Sequence, residues 1–180
     1  MIQTPSGWNK MRSLLFFITI CGVFLTGCTK EDKLVEDIVR VGDKLPAFTV
    51  VMEDGSTFNS AVLSGKPLVL TFFTTTCTDC QRTLPIVQQA YENFSDVTFI
   101  SISRAEEKGS IRNYWNTNGL TLPFSAQKDR KVYNLFATSR IPRIYIVKSD
   151  GIVSSFFTDN PTPDYQALST AISKVCNSNK

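Results

Sequence analysis

The sequence predicts an α/β domain with a central mixed β-sheet flanked by helices, and three observations carry that expectation. Two runs, Leu68-Val-Leu-Thr-Phe-Phe73 and Val97-Thr-Phe-Ile-Ser-Ile102, are dense in apolar and β-branched residues. Strands covered on both faces read this way, whereas a strand with one wet face alternates. Between them Leu84, Val87, Tyr91 and Phe94 recur at helical spacing and make one apolar stripe. Near the C-terminus Ser149-Asp150-Gly151 separates two β-type runs, a turn signal that joins antiparallel neighbours. The order β, α, β, a helix-rich excursion, a hairpin and α combines parallel and antiparallel pairing in one sheet.

Each element has its own local reason. Residues 48–52 form a short strand, Glu53-Asp54-Gly55-Ser56 a turn and residues 56–58 the returning strand, which together make an N-terminal β-hairpin. Ser64-Gly65-Lys66-Pro67 breaks the chain before the strand at 68–73, which belongs at the sheet centre. The helix that follows spans about residues 78–94 and contains Pro85, which removes a backbone donor and is expected to kink it behind its first turn. After the strand at 97–102, a helical insert carries Ile111, Tyr114, Trp115 and Asn118 and stops at Gly119, suited to a C-terminal cap. A brief extended piece at 120–124 leads to a short helix at 129–136 with Val132, Leu135 and Phe136 inward. The hairpin strands are residues 144–147 and 152–157. Thr162 caps a last helix that begins at Pro163 and buries Leu168, Ala171, Ile172 and Val175.

The N-terminus reads as a targeting segment. Lys10 and Arg12 precede an apolar stretch at 14–25, about the length of a signal-peptide core and short for a membrane span. Leu25-Thr26-Gly27-Cys28 is similar to a bacterial lipobox, which implies a lipid on Cys28 and loss of residues 1–27. A plain secretory signal or a simple membrane anchor are the other readings. Residues 28–40 are charged and read as a lipid-anchored linker, leaving 41–180 as the folded domain. The expected location is a bacterial cell envelope, on the periplasmic face. The outer surface is the alternative, because Lys30-Glu31-Asp32 resembles a surface-export signal of some bacterial lipoproteins.

Composition narrows the chemistry. The 180-residue chain has 19 basic and 16 acidic residues and a net charge of +3, with no basic stripe, so nucleic acid is not an expected partner. It contains no histidine. That removes Ser-His-Asp and Cys-His catalytic units and every metal site that needs imidazole. No cofactor or metal is expected, although a zinc site built from Cys77, Cys80, Cys176 and a carboxylate stays open on residue type alone.

Of the five cysteines, Cys21 leaves with the signal and Cys28 takes the lipid, so Cys77, Cys80 and Cys176 remain for thiol chemistry. Cys77-Thr-Asp-Cys80 sits where the central strand gives way to the helix, and this spacing brings two sulfurs onto one helical turn. At a helix N-terminus Cys77 faces unsatisfied backbone N–H groups and the positive end of the dipole, which are expected to favour thiolate over thiol. Cys80, a turn deeper, is suited to resolve a mixed disulfide formed at Cys77. A static disulfide staple is the bland alternative. It adds little, because the loop it closes is so short. Cys176 lies beside the apolar stripe of the last helix and reads as an idle thiol, with pairing to another chain as the other reading.

Gly42, Pro46, Phe48, Gly65-Lys66, the Cys77/Cys80 pair, Pro85, the helical insert and Ile141-Pro142 together resemble the thioredoxin-like, membrane-tethered thiol-disulfide oxidoreductases of the TlpA and ResA type, over about residues 41–175. The resemblance implies a thioredoxin-like fold and a reductase that exchanges its dithiol with disulfides of exported proteins. It also implies a membrane electron donor to restore the dithiol. Pro142 matches the cis-proline of that fold, so the backbone of Ile141 is expected to pair with an extended substrate segment and to shield the sulfurs from metal. Thr76 and Asp79 complete the expected active-site support.

The chain also departs from that pattern. Thr76 stands where these proteins usually carry Trp, and Thr83 where many cytochrome-maturation reductases carry Glu, so no role in cytochrome c maturation is carried over. Arg140 and Arg143 flank Ile141-Pro142, and a guanidinium reaching Cys77 would favour its thiolate against the nearby Asp79. Two other functions stay open. A peroxiredoxin-like peroxide reductase of the AhpC/TSA type would use Thr74-x-x-Cys77, and a non-catalytic binding lipoprotein would use the fold as a scaffold.

Overall fold

The structure is a computed structural model, and it describes residues 37–177. The expected signal segment 1–27, the expected lipidation site Cys28, most of the expected linker and residues 178–180 lie outside that range.

Among the described residues, seven strands and three α-helices follow one another along the chain. A two-stranded antiparallel ladder joins β1 (Thr49–Val51) to β2 (Thr57–Asn59) through a turn in which Gly55 takes φ 88° and Met52 N–H donates to the Ser56 carbonyl. The main sheet holds β3 (Leu68–Phe73), β4 (Thr98–Ser103), β5 (Phe124–Ser125), β6 (Arg143–Val147) and β7 (Val153–Phe157) in the order β5-β4-β3-β6-β7. Strand β3 is central and buried along its whole length, with β4 parallel on one side and β6 antiparallel on the other. The sheet is therefore mixed, and its pairing change falls beside the strand that delivers Cys77.

Alternate side chains of β3 enter two aromatic clusters. Phe72 packs on Tyr133, Phe136 and Tyr145, while Phe73 packs on Trp115 of the helix α2 (Lys108–Asn118), 4.9 Å between ring centroids. Helix α1 (Thr78–Asn93) continues through Pro85 as one 16-residue helix and buries Leu84 and Val87. Its buried Gln88 accepts from the Thr121 and Leu122 amides and donates to Thr121 Oγ1, which pins α1 to the chain entering β5. Helix α3 (Tyr165–Asn177) packs on α1 and on β6 and β7 through Leu168, Ile172 and Val175.

Three local expectations are corrected. The segment at 129–136 is a 3-10 turn at Tyr133–Leu135, in which Tyr133 and Phe136 are buried and Leu135 is exposed. With three residues per turn, i and i+3 eclipse, so Tyr133 and Phe136 share the inner side in place of Leu135. Helix α3 begins at Tyr165, because Asp164 Oδ1 accepts from the Ala167 amide and caps it in place of Thr162. Residues 37–40, expected in the linker, are packed on the domain. Asp37 bridges Ala137, the Ile38 and Val39 amides donate to the Phe136 carbonyl, and Val39 is buried. The charged composition that suggested a tether conceals Asp37, which is needed by a buried arginine.

Candidate active site

Cys77 is the N-cap of α1, at φ −85° and ψ 119°, and its sulfur accepts from the Cys80 amide at 3.4 Å. The local sequence explains this placement. Strand β3 ends at Phe73, Thr74 to Thr76 turn the chain, and Cys77 N–H donates back to the Thr74 carbonyl. A sulfur at an N-cap meets amides that the helix itself cannot satisfy. The Cys77 thiol is half-buried and also donates to the Ile141 carbonyl at 3.6 Å. Two segments 64 residues apart thus meet at one sulfur.

Cys80 is fully buried, and both thiols are free. Burial pushes the Cys80 thiol up strongly, its hydrogen bond and electrostatic interaction with Cys77 add to the rise, and the Thr74 amide and Arg104 oppose it. Cys80 is therefore a protonated, shielded thiol behind an accessible one.

The Ile141–Pro142 peptide bond is cis. Immediately before it, Arg140 has φ 69°, the left-handed region that a residue with a Cβ enters at a cost, and the Tyr133 hydroxyl donates to its carbonyl at 2.6 Å. Arg143 does not reach toward the cysteines. It is fully buried, pairs with Asp37 at 2.6 Å and donates through Nε and Nη2 to the Ser139 carbonyl. Arg140 pairs instead with Asp159 at 3.7 Å. The expectation that a flanking arginine contacts Cys77 is not met by either residue, because each has a carboxylate of its own.

Thr76 is exposed, with its hydroxyl 3.4 Å from that of Thr74, and Asp79 pairs with Arg82 at 3.3 Å. Thr83 is buried and its hydroxyl returns to the Asp79 carbonyl. One residue that sequence reasoning passed over stands out. The Glu106 carboxylate, from the loop after β4, accepts from both the amide and the hydroxyl of Thr75, while Gln81 Nε2 donates to the Thr75 carbonyl. Glu106 thus holds the turn that presents Cys77. Its acidic neighbour Glu107 and the lack of any spacing rule across 31 residues left no signal for it in the sequence.

The site is a surface feature. A cleft of about 690 Å³ lies elsewhere, between the β1–β2 ladder, α2 and the start of β4, and is lined by Phe58, Tyr91 and Trp115 without either cysteine. Among the described residues no cluster of three or more Cys, Asp and Glu is placed to hold a metal ion.

A family model described as AhpC/TSA matches residues 41–156, which takes in both cysteines and the cis-proline. The chain belongs to the AhpC/TSA family. Within this thioredoxin-fold family it is similar to the curated thiol-disulfide oxidoreductase ResA of Bacillus subtilis, 23% identical over 139 residues, 74% of this chain and 78% of that protein. ResA of Oceanobacillus iheyensis is 27% identical over 145 residues, 77% and 74% of the two chains. Among solved structures, a secreted Mycobacterium tuberculosis disulfide oxidoreductase homologous to E. coli DsbE superposes with a TM-score of 0.63 at 26% identity, covering 71% of this chain and 95% of that one. A thiol:disulfide interchange protein of Chlorobium tepidum gives 0.65 at 23% identity, covering 74% and 96%. This AhpC/TSA member is a thiol-disulfide oxidoreductase with a thioredoxin-like fold, as its residues suggested. The peroxidoxin BcpB of Mycobacterium tuberculosis shares the fold, with a TM-score of 0.64 at 14% identity over 77% of this chain and 97% of that one.

Proposed function

We propose that the protein is an extracytoplasmic bacterial reductase that transfers two electrons from the Cys77–Cys80 dithiol to disulfides of exported proteins. The observation that carries this reading is the asymmetry of the pair. Cys77 is accessible, sits at a helix N-cap and touches the carbonyl before a cis-proline, and Cys80 is buried and protonated.

The chemistry follows from that asymmetry. The Cys77 thiolate attacks one sulfur of the substrate disulfide, forming a Cys77–substrate S–S bond and releasing the other substrate sulfur as a thiolate. Cys80 then gives up its proton, to the departing thiolate or to water, and its sulfur attacks Cys77 Sγ. The second substrate sulfur leaves, and a Cys77–Cys80 disulfide remains. Two electrons have moved to the substrate, with one proton from Cys80 and, where the second substrate thiolate is protonated, one from solvent. The Ile141 backbone aligns an extended substrate strand beside the attacking sulfur, with Pro142, Thr76 and Asp79 as its surroundings. A membrane electron donor returns the pair to the dithiol, and a lipid on Cys28 keeps the domain within reach of that donor. Thr83 stands where many cytochrome-maturation reductases carry Glu, so no role in cytochrome c maturation is part of this reading.

Expression of Cys80→Ser in the native host tests this reading. The substitution removes the resolving thiol, so exported proteins should accumulate as mixed disulfides on Cys77. An absence of adducts, with turnover of hydrogen peroxide by the purified protein, would favour the peroxide-reducing members of the family instead.

A further inference from the structure

The face around Cys77 carries two arginines that thiol exchange itself leaves unused. Tyr133 is buried, and the guanidinium carbons of Arg104 and Arg130 lie 5.6 Å and 5.3 Å from its ring centroid. Two hydrogen bonds join the ring to the nucleophile: Tyr133 donates to the Arg140 carbonyl, and the next residue, Ile141, accepts from the Cys77 thiol. From the other side, the Arg104 amide donates to the carbonyl of Phe73, the last residue of the strand that leads to Cys77, and its charge acts on Cys80.

Two guanidiniums on one ring repel each other, and a carboxylate would relieve them. Among the described residues neither has one within ion-pair distance, whereas Arg82, Arg112, Arg140 and Arg143 each do. Among the described residues, Arg130 Nη2 donates to the neutral Thr138 carbonyl. The acidic groups nearby are engaged elsewhere: Glu106 by Thr75, Glu107 by Lys128, Asp129 by Lys131, Asp79 by Arg82 and Asp159 by Arg140. Stacking on an aromatic ring fixes a guanidinium plane while leaving its edge free for a carboxylate, which it can bind bidentately.

We propose that Arg104 and Arg130 form an anion-binding rim, and that the preferred substrates carry Asp or Glu within a few residues of the disulfide. This rests on Cys77 being the attacking thiol. A carboxylate seated on the rim would hold its chain across Ile141, where the disulfide meets Cys77. The preference would also act before contact, since an unpaired cationic patch beside the site steers anions toward it.

Three small disulfides of opposite charge test the rim in the full-length reduced protein: 3,3′-dithiodipropionate (anionic), hydroxyethyl disulfide (neutral) and cystamine (cationic). Each rate is divided by that of dithiothreitol with the same compound, which removes intrinsic reactivity. At about 20 mM ionic strength the normalised rate should favour the anion over the cation by about tenfold or more, and 1 M salt should bring the two within about twofold. Arg104→Gln and Arg130→Gln should each lower the anion-to-neutral ratio by about threefold, and the Lys substitutions should restore most of it. The salt series needs no variant, so a folding defect in either substitution leaves the outcome decided. Reduction of the neutral disulfide without preference for the anion overturns the rim alone. Reduction of none of the three overturns the exchange reading together with it.

Discussion

Asp37 is expected to hold the loop before β6 in place from outside the expected domain boundary, and its removal has a calculable cost. Arg143 has no exposed surface and its Nη1 lies 2.6 Å from Asp37 Oδ1, while Nε and Nη2 share the Ser139 carbonyl. Deleting one partner of a buried ion pair costs about 3–5 kcal/mol, because the other charge is stranded. The Asp37 side chain is 32% exposed, so water can enter the vacated position and reduce the cost. The expected loss for Asp37→Ala is therefore about 2–3 kcal/mol, read from urea unfolding of the reduced protein. Asp37→Asn keeps an acceptor for Nη1 and should lose about half as much. In the double variant Asp37→Ala/Arg143→Met no buried charge remains, so it should be less destabilised than the sum of the single variants by about 1–2 kcal/mol. The Ala variant should also reduce protein disulfides more slowly, since Ser139 to Pro142 hang on the same guanidinium. A loss below about 0.5 kcal/mol, or additivity within about 0.3 kcal/mol, would refute the argument.

Two further outcomes follow from the site. Glu106→Ala leaves the Thr75 amide without its acceptor and loosens the turn before Cys77 in the dithiol, whereas the oxidised form is held by its own S–S bond. The reduction potential should become more negative by about 20–30 mV, equivalent to about 1–1.4 kcal/mol, and Glu106→Gln should recover most of it. An unchanged potential in the Ala variant would remove Glu106 from the site. Burial raises the Cys80 pKa above its unfolded value of about 8.5, so the folded state keeps a proton that the unfolded chain releases, and stability falls as pH rises above that value. The stability difference between reduced wild type and Cys80→Ala should shrink by about 1.2 kcal/mol between pH 9 and pH 10, and a difference independent of pH would contradict the assignment.

Much of the fold was legible because burial leaves a compositional trace. Strand β3 reads as apolar on both parities and is covered on both faces, and Gly119 ends α2 in the left-handed conformation expected of it, at φ 64°. Cys77 and Cys80 were legible because four consecutive residues fix their own relation at a helix start. What escaped depends on long-range pairing. Nothing in the local text of Glu106, Asp37 or Tyr133 says that they meet Thr75, Arg143 and the Arg140 carbonyl across 31, 106 and 7 positions. Leu135 was misplaced for a smaller reason, since a 3.6-residue period was applied to a segment that winds with three.

The central claim is that Cys77 attacks and Cys80 resolves. Rapid mixing of the reduced protein with a protein disulfide, acid quenching at intervals and mass mapping of each cysteine measures it directly. A transient adduct on Cys77 should appear first and decay into the Cys77–Cys80 disulfide, and in Cys80→Ser that adduct should persist. An adduct carried by Cys80, or two thiols that stay free while the substrate stays oxidised, would contradict the account.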